Sequence, residues 1–290
     1  MPPRPSDSAR AIAVMLLAMF LFACMDAVNK YLAASYAVVQ IVWVRYLFFV
    51  GFALLLVRPR RVALPVRTAG FWLQVVRSLL LIAEIGTFVW AFRYLPLADV
   101  HALAAITPLL VTALSVVMLG ERVGWRCWCA VVSGFVGVLV IVRPGFAEID
   151  WRILIPLLGA LLFAIYQILL RIVARYDRPE TTVLYSAVVG AVVLTAIGPF
   201  AWTPPDAAGW AWLAVAGLLG SCSHFALTKA MQLGEASRLQ PYGYTLMIWA
   251  AVLGLLAFGQ FPDLWTIVGG AIIAASGLYA FYRERRRKNA

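Results

Sequence analysis

The chain has 290 residues, 64% of them apolar and 13% charged, with a mean hydropathy of +0.91. A water-soluble domain of this size has no interior large enough for so much apolar surface, so the composition excludes that class and indicates a polytopic membrane protein. The apolar stretches run about 20 residues, the length of a spanning helix rather than the ~10 alternating residues of an outer-membrane strand; the net charge of +11 reads as basic loops at a membrane surface, with no nucleic-acid partner expected.

Ten spans are predicted in chain order, over 11–32, 38–57, 71–93, 97–119, 127–143, 153–173, 183–200, 209–231, 239–258 and 264–282. The first apolar run reaches Leu32, too long for a signal core, and nine more follow, so it is read as a span and not as a cleaved leader. Its second half carries Asp26, Asn29 and Lys30, although a charge near mid-membrane costs roughly 2.5–3.5 kcal/mol. Asp26 and Lys30 stand four apart on one helix face with Asn29 beside them. They either face a watery cavity or lock helices together, and Lys30, near the span end, is also placed to snorkel.

Arg45 in the second span and Glu84 in the third each lie about two residues outward of mid-span, which puts them within ~3 Å of the same depth. Neither reaches an interface easily. Both are expected to face the protein interior and to pair directly or through water, with substrate binding or gating as their use. Arg77 lies nearer its span end, where snorkelling is expected. His101, one turn into the fourth span, has no partner identifiable from sequence and is read first as packing. Gly134 and Gly137 in the fifth span and Gly269 and Gly270 in the tenth predict close contact between those helices. Pro108 and Pro241 predict kinks.

In the second half the polar candidates are Tyr166, Gln167, Tyr185, Ser186, Ser223, His224, Tyr242, Tyr244 and Thr245, with Trp249 as a mid-membrane aromatic. Trp202, Trp210 and Trp212, at a span end, read as interface anchors. Cys24, Cys127, Cys129 and Cys222 all fall within spans and are read as reduced packing residues. The C-x-C pair has no second pair to complete a metal site, and neither a metal nor another cofactor is expected.

Seventeen of the 24 basic residues fall in tails and loops on the side of the N-terminus, and only Arg93, Arg143 and Arg152 in loops on the other. This asymmetry places both termini in the cytoplasm, in a bacterial inner membrane. The shift that carries Gly120–Glu121 onto Gly259–Gln260 also lays "AFRYLPLADV" (91–100) over "AMQLGEASRL" (230–239), and it brings the first five spans onto the last five. Two repeats follow, 1–148 and 149–290, and because five is odd the second enters the membrane upside down. The expected fold is all-α, ten transmembrane helices as two inverted five-helix repeats. The same shift puts Ile165, Leu184 and Ser223 opposite Asp26, Arg45 and Glu84. A site between the halves would join a charged wall to an aromatic, hydrogen-bonding one, which suits a small zwitterion with an apolar side chain, such as an amino acid.

The stretch 94–145, with its Leu97–Ala98 turn, Pro108, Gly120–Glu121, Gly134, Gly137 and Pro144, resembles the fourth and fifth helices of EamA-type members of the drug/metabolite transporter superfamily. Asp26, Lys30, Arg45 and the turn "LGEASRLQPYGY" (233–244) are similar as well. Gln260 departs from the second Gly–Glu pair of many members, so Glu121, at a turn, is read as structural. The resemblance implies a carrier that exports amino acids, neutral or aromatic ones favoured, or related small metabolites by alternating access. The alternative it implies is a nucleotide-derived metabolite such as S-adenosylmethionine. No phosphate-binding G-x-x-x-x-G-K-[ST] loop is present, so transport would be facilitative or run on a gradient, and Asp26, Glu84 and His101 are the candidates for proton coupling. An intramembrane hydrolase is the remote alternative, because Ser221 and Ser223 are poorly aimed at His224 on a single helix. A channel is disfavoured by the lack of a charged ring. The expected partners are a small-molecule substrate and the lipid bilayer. A monomer suffices, with a homodimer as the other arrangement.

Overall fold

The computed structural model of the chain describes residues 5–57, 68, 70–121, 123–143, 150–177, 179–233 and 236–288. Among these the regular elements are helical: α1 (Pro5–Ala33), α2 (Val38–Val57), α3 (Phe71–Tyr94), α4 (Leu97–Ala104), α5 (Thr107–Leu119), α6 (Trp125–Val142), α7 (Leu154–Val173), α8 (Pro179–Ile197), α9 (Ala207–Leu233), α10 (Ala236–Gly243), α11 (Thr245–Phe258) and α12 (Leu264–Lys288). Nine helical stretches among the described residues are long and apolar enough to cross a bilayer, and α2, with 20 residues, is the tenth span. The fold is therefore the expected polytopic helical one. The face at which α1 begins is called the tail face below, and the opposite one the distal face.

The fourth and ninth spans are each broken in two, at Ala105–Ile106 and at Tyr244. The repeat shift carries Ala105 onto Tyr244, so the two breaks correspond. Pro108 sits in the first turn of α5, where a missing N–H is harmless, whereas Pro241 lies inside α10. Both broken spans end alike. Gly120 and Gly259 take the left-handed conformation at φ 67° and 63°. The next amides then reach back, Glu121 N to Ser115 O at 3.2 Å and Gln260 N to Gly254 O at 3.0 Å. Glycine adopts this cap without steric cost. Glu121, exposed beyond it, lies 3.7 Å from Arg171.

Packing repeats with the same symmetry. α1 runs along α9 as α7 runs along α3; α2 leans on α9 as α8 leans on α3; α1 meets α11 as α7 meets α5. α6 and α12 lie against each other at glycines: a Cβ on Gly137 would stand 2.8 Å from the Gly269 carbonyl oxygen. Small residues let backbones approach where lipid supplies no hydrophobic drive. The symmetry fails in several pairs, two of them at the seam between the repeats. α1 touches α3 and α4 packs on α11, but among the described residues the image contacts, α7 with α9 and α5 with α10, are not made to a comparable extent. Among the described residues these corresponding helices meet toward the distal face and stand apart toward the tail face.

Arg77 does not snorkel. It is fully buried and its guanidinium donates to Gln74 Oε1 at 3.1 Å, Tyr166 OH at 3.2 Å, Thr182 O at 2.8 Å and Ser186 Oγ at 2.8 Å. Gln74 donates on to Asp177 Oδ2 at 2.7 Å, which also accepts from Thr68. The expectation failed because α7 and α8 bring enough acceptors to satisfy the charge where it lies, tying α3 to both. At the distal face Gln40 and Thr203 exchange two hydrogen bonds of 2.8 Å.

Two substitutions test this packing by thermal unfolding in detergent. Gly269→Leu forces α12 off α6 and lowers the melting temperature by the equivalent of about 1–3 kcal/mol, while Gly124→Ala, which meets open space, leaves it unchanged. Arg77→Met leaves buried groups unpaired at roughly 1–3 kcal/mol each and lowers it further, whereas Arg175→Met, at an exposed position, does not.

Candidate functional site

Five ionisable side chains from five helices converge on the seam between the repeats: Asp26 of α1, Arg45 of α2, Glu84 of α3, His101 of α4 and His224 of α9. His101 Nε2 stands 3.2 Å from Asp26 Oδ2, an ion-pair distance without hydrogen-bond geometry, so the histidine that offered no partner in the sequence has a carboxylate beside it. Asn29 Nδ2 donates to the other carboxylate oxygen of Asp26 at 3.3 Å. Lys30, one turn on, leaves this group. Its ammonium donates to the carbonyls of Phe92 at 3.0 Å and Leu95 at 2.6 Å, at the end of α3 where carbonyls lack helical partners and the dipole favours a cation. Lys30 thus neither snorkels nor faces the seam.

Arg45 lies over the backbone of α9 at Gly220, where a Cβ would stand 3.7 Å from its Nε and Nη2. Arg45 is partly buried and Glu84 buried, yet among the described residues neither has a hydrogen bond or an ion pair within 4 Å. Of the two forms of Arg45–Glu84 pairing expected, direct or through water, the direct one is not formed among the described residues. The two feel each other's field, and Asp26 acts on both. His224, exposed at its position on α9, is held edge-on by the rings of Phe22 at 4.9 Å and Phe49 at 6.2 Å and lies in the field of Arg45 and Asp26.

The second repeat contributes less than expected. Tyr166 is engaged by Arg77, with the guanidinium carbon 5.3 Å from its ring, and Tyr185 packs near Phe71 at 6.1 Å, away from the seam charges. Ser186 accepts from Arg77. Ser223 and Ser221 donate to the carbonyls of their own helix, Gly220 O at 3.0 Å and Gly217 O at 2.9 Å. Tyr244 presses against Gly277, its hydroxyl buried without a hydrogen bond among the described residues. Thr245 donates to Tyr242 O at 2.6 Å across the break. Gln167 is half-buried on α7. Tyr242 and Trp249 pack on an apolar cluster of α1 and α9, Trp249 edge-on to Phe20 at 5.0 Å.

Asp99 was missed by sequence reasoning; it sits beside Thr266, Lys30 and Arg143. Its signal was available, as an acid two residues from His101 in an apolar span. No group of three or more His, Cys, Asp or Glu that could hold a metal occurs among the described residues. One guanidinium and two carboxylates on an apolar-walled seam can hold a zwitterion.

Residues 9–143 and 150–282 each match the EamA-like transporter family. The chain is 27% identical over 275 residues to an S-adenosylmethionine uptake transporter of Rickettsia prowazekii, spanning 95% of this chain and 93% of that protein. It is 28% identical over 292 residues to a riboflavin transporter of Rhizobium johnstonii, with 98% and 95% spanned. To the pseudopaline exporter CntI of Pseudomonas aeruginosa it is 25% identical over 271 residues, with 91% and 93% spanned. A protein of known crystal structure shares the fold at a TM-score of 0.65 and 17% identity, over 96% of this chain and 98% of that one. With both five-helix repeats matched and ten apolar helices to span a bilayer, the chain is a multi-pass membrane transporter and belongs to the EamA-like transporter family.

Proposed function

We propose that the chain exports small zwitterionic metabolites that bear an α-amino acid group, amino acids with neutral or aromatic side chains foremost, by alternating access. The observation that carries this reading is the state of Arg45 and Glu84. Two opposite charges from neighbouring helices lie inside the bundle, in each other's field, without pairing to one another. Charges at this depth stay ionised where they keep water or meet a ligand. A guanidinium for a carboxylate and a carboxylate for an ammonium is the complement of an amino-acid head group, and the Phe22, Phe49 and His224 rings offer an apolar wall for its side chain. The excess of basic residues on the tail face supports placing that face in the cytoplasm of a bacterial inner membrane. The seam is parted on that face, which suits loading from the cytoplasm.

A second reading is favoured by one observation. Two carboxylates, Asp26 and Glu84, act on the single guanidinium of the seam, which suits a substrate with surplus positive charge. S-adenosylmethionine has an α-amino acid group and a sulfonium cation, and a relative is named for its uptake.

Proteoliposome counterflow with amino acids, S-adenosylmethionine, nucleosides and sugar phosphates ranks these classes. Glu84→Gln and Arg45→Met are expected to lower counterflow of the preferred substrate at least about tenfold, consistent with losing one charge-assisted contact of ~1.5–3 kcal/mol, while each protein remains monodisperse. Aggregation of both variants would instead assign the charges to folding. Preference for sugar phosphates would remove the amino-acid reading.

A further inference from the structure

The distal closure has polar fasteners that its image lacks. On the distal side α1 is joined to α4 by Asp26 and His101 and to the end of α3 by Lys30. In the second repeat Ile165 stands in the place of Asp26, Leu169 in that of Lys30 and Gln240 in that of His101. An inverted repeat built from identical halves would open to both faces with the same ease. Here the helices that would close the tail face carry no ion pair at the equivalent positions. At these equivalent positions, opening of the distal face is subject to ionisation and opening of the tail face is not.

We propose, on the reading of the chain as a carrier, that Asp26 and His101 are its proton-exchange site and the latch of its distal gate. With a proton on the imidazole the two form an ion pair across α1 and α4, and the distal face is shut. The side chains retain slight exposure, 9% for His101 and 12% for Asp26. Loss of that proton to water on the tail side leaves a neutral imidazole, with one N–H still to donate, beside a buried carboxylate that has lost its opposite charge and keeps Asn29 as a donor, in the field of Arg45. The carboxylate is better solvated when α4 swings away, so the distal face opens. A proton taken up from the distal side restores the pair and shuts the gate, moving one proton from the distal to the tail side per cycle.

The other charges around the pair are few. Arg45 of α2, Glu84 of α3 and His224 of α9 face Asp26. α11 has no acidic or basic residue, and the Arg238 side chain of α10 lies outside the described side chains. Against α4, α7 and α12 carry their acidic and basic residues at the tail end only, Arg171 and the run from Arg283. Phe92 of α3 covers the imidazole at 5.7 Å, and Asp99 and Lys30 complete the surroundings. His101 is thus the one imidazole that spans the gate.

The gate can be read without substrate. A Cβ on Gly254 of α11 would lie 3.9 Å from the Leu97 Cβ of α4, within the ~3.5–4.5 Å that a disulfide spans. In a background with Cys24, Cys127, Cys129 and Cys222 replaced by Ala, Leu97→Cys/Gly254→Cys is expected to cross-link in mild acid and to block flux until reduced. From mildly acid to mildly alkaline pH its yield is expected to fall severalfold while that of the image pair, Ser115→Cys/Ala236→Cys, rises. Thiols react faster as pH rises, so the fall at the distal pair does not come from the thiols. Asp26→Asn and His101→Gln are each expected to abolish the fall, and where one is lost to misfolding the other reads the same response. A distal yield constant across that range in the parent, or a fall that survives in a folded variant, overturns the latch. Intact pH-dependent cross-links with no counterflow of any amino acid or of S-adenosylmethionine would overturn the substrate reading alone.

Discussion

A charge buried in a membrane must find partners or keep water, and the bundle is arranged by how each such residue meets that demand. Arg77 finds partners. Four groups from α3, α7 and α8 surround its guanidinium, and the result is a rigid junction. Lys30 finds the open carbonyls at the end of α3. Arg45 and Glu84 have no such engagement among the described residues, although they lie in the same bundle and one of them is as buried as the core. The contrast separates charges used to join helices from charges available to something that comes and goes.

Inverted duplication supplies the second constraint. Broken spans, left-handed glycine caps and their back-reaching amides recur at corresponding places in the two repeats, so both halves have the same local mechanics. The chemistry they carry differs. The first repeat holds the acids, the guanidinium and His101, and the second brings His224 and the glycine on which Arg45 rests. Local geometry follows from glycine and helix-end chemistry that both copies retained, whereas the polar side chains at corresponding positions differ. A carrier of this plan needs mechanical equivalence of its halves but not chemical equivalence.

The difference between the halves also tells which face is shut. α1 reaches α3 and α4 reaches α11, and the same reach is not repeated in α7 and α5 among the described residues.

Much was legible beforehand. Span length, apolar composition, the repeat offset and the glycines of the fifth and tenth spans follow from one-dimensional patterns, because a bilayer imposes a length on every helix and closely packed helices need small residues. The partners of the buried charges were not legible. Asp26 and Lys30 are neighbours in sequence yet serve different helices, and His101 and Arg77 gained partners from elements distant along the chain. The sequence by itself determined the ten-span inverted plan and which side chains must be accommodated inside it. Only the tertiary structure decided who meets whom, since a helical face points toward a neighbour whose rotation and tilt are set by packing across the whole bundle.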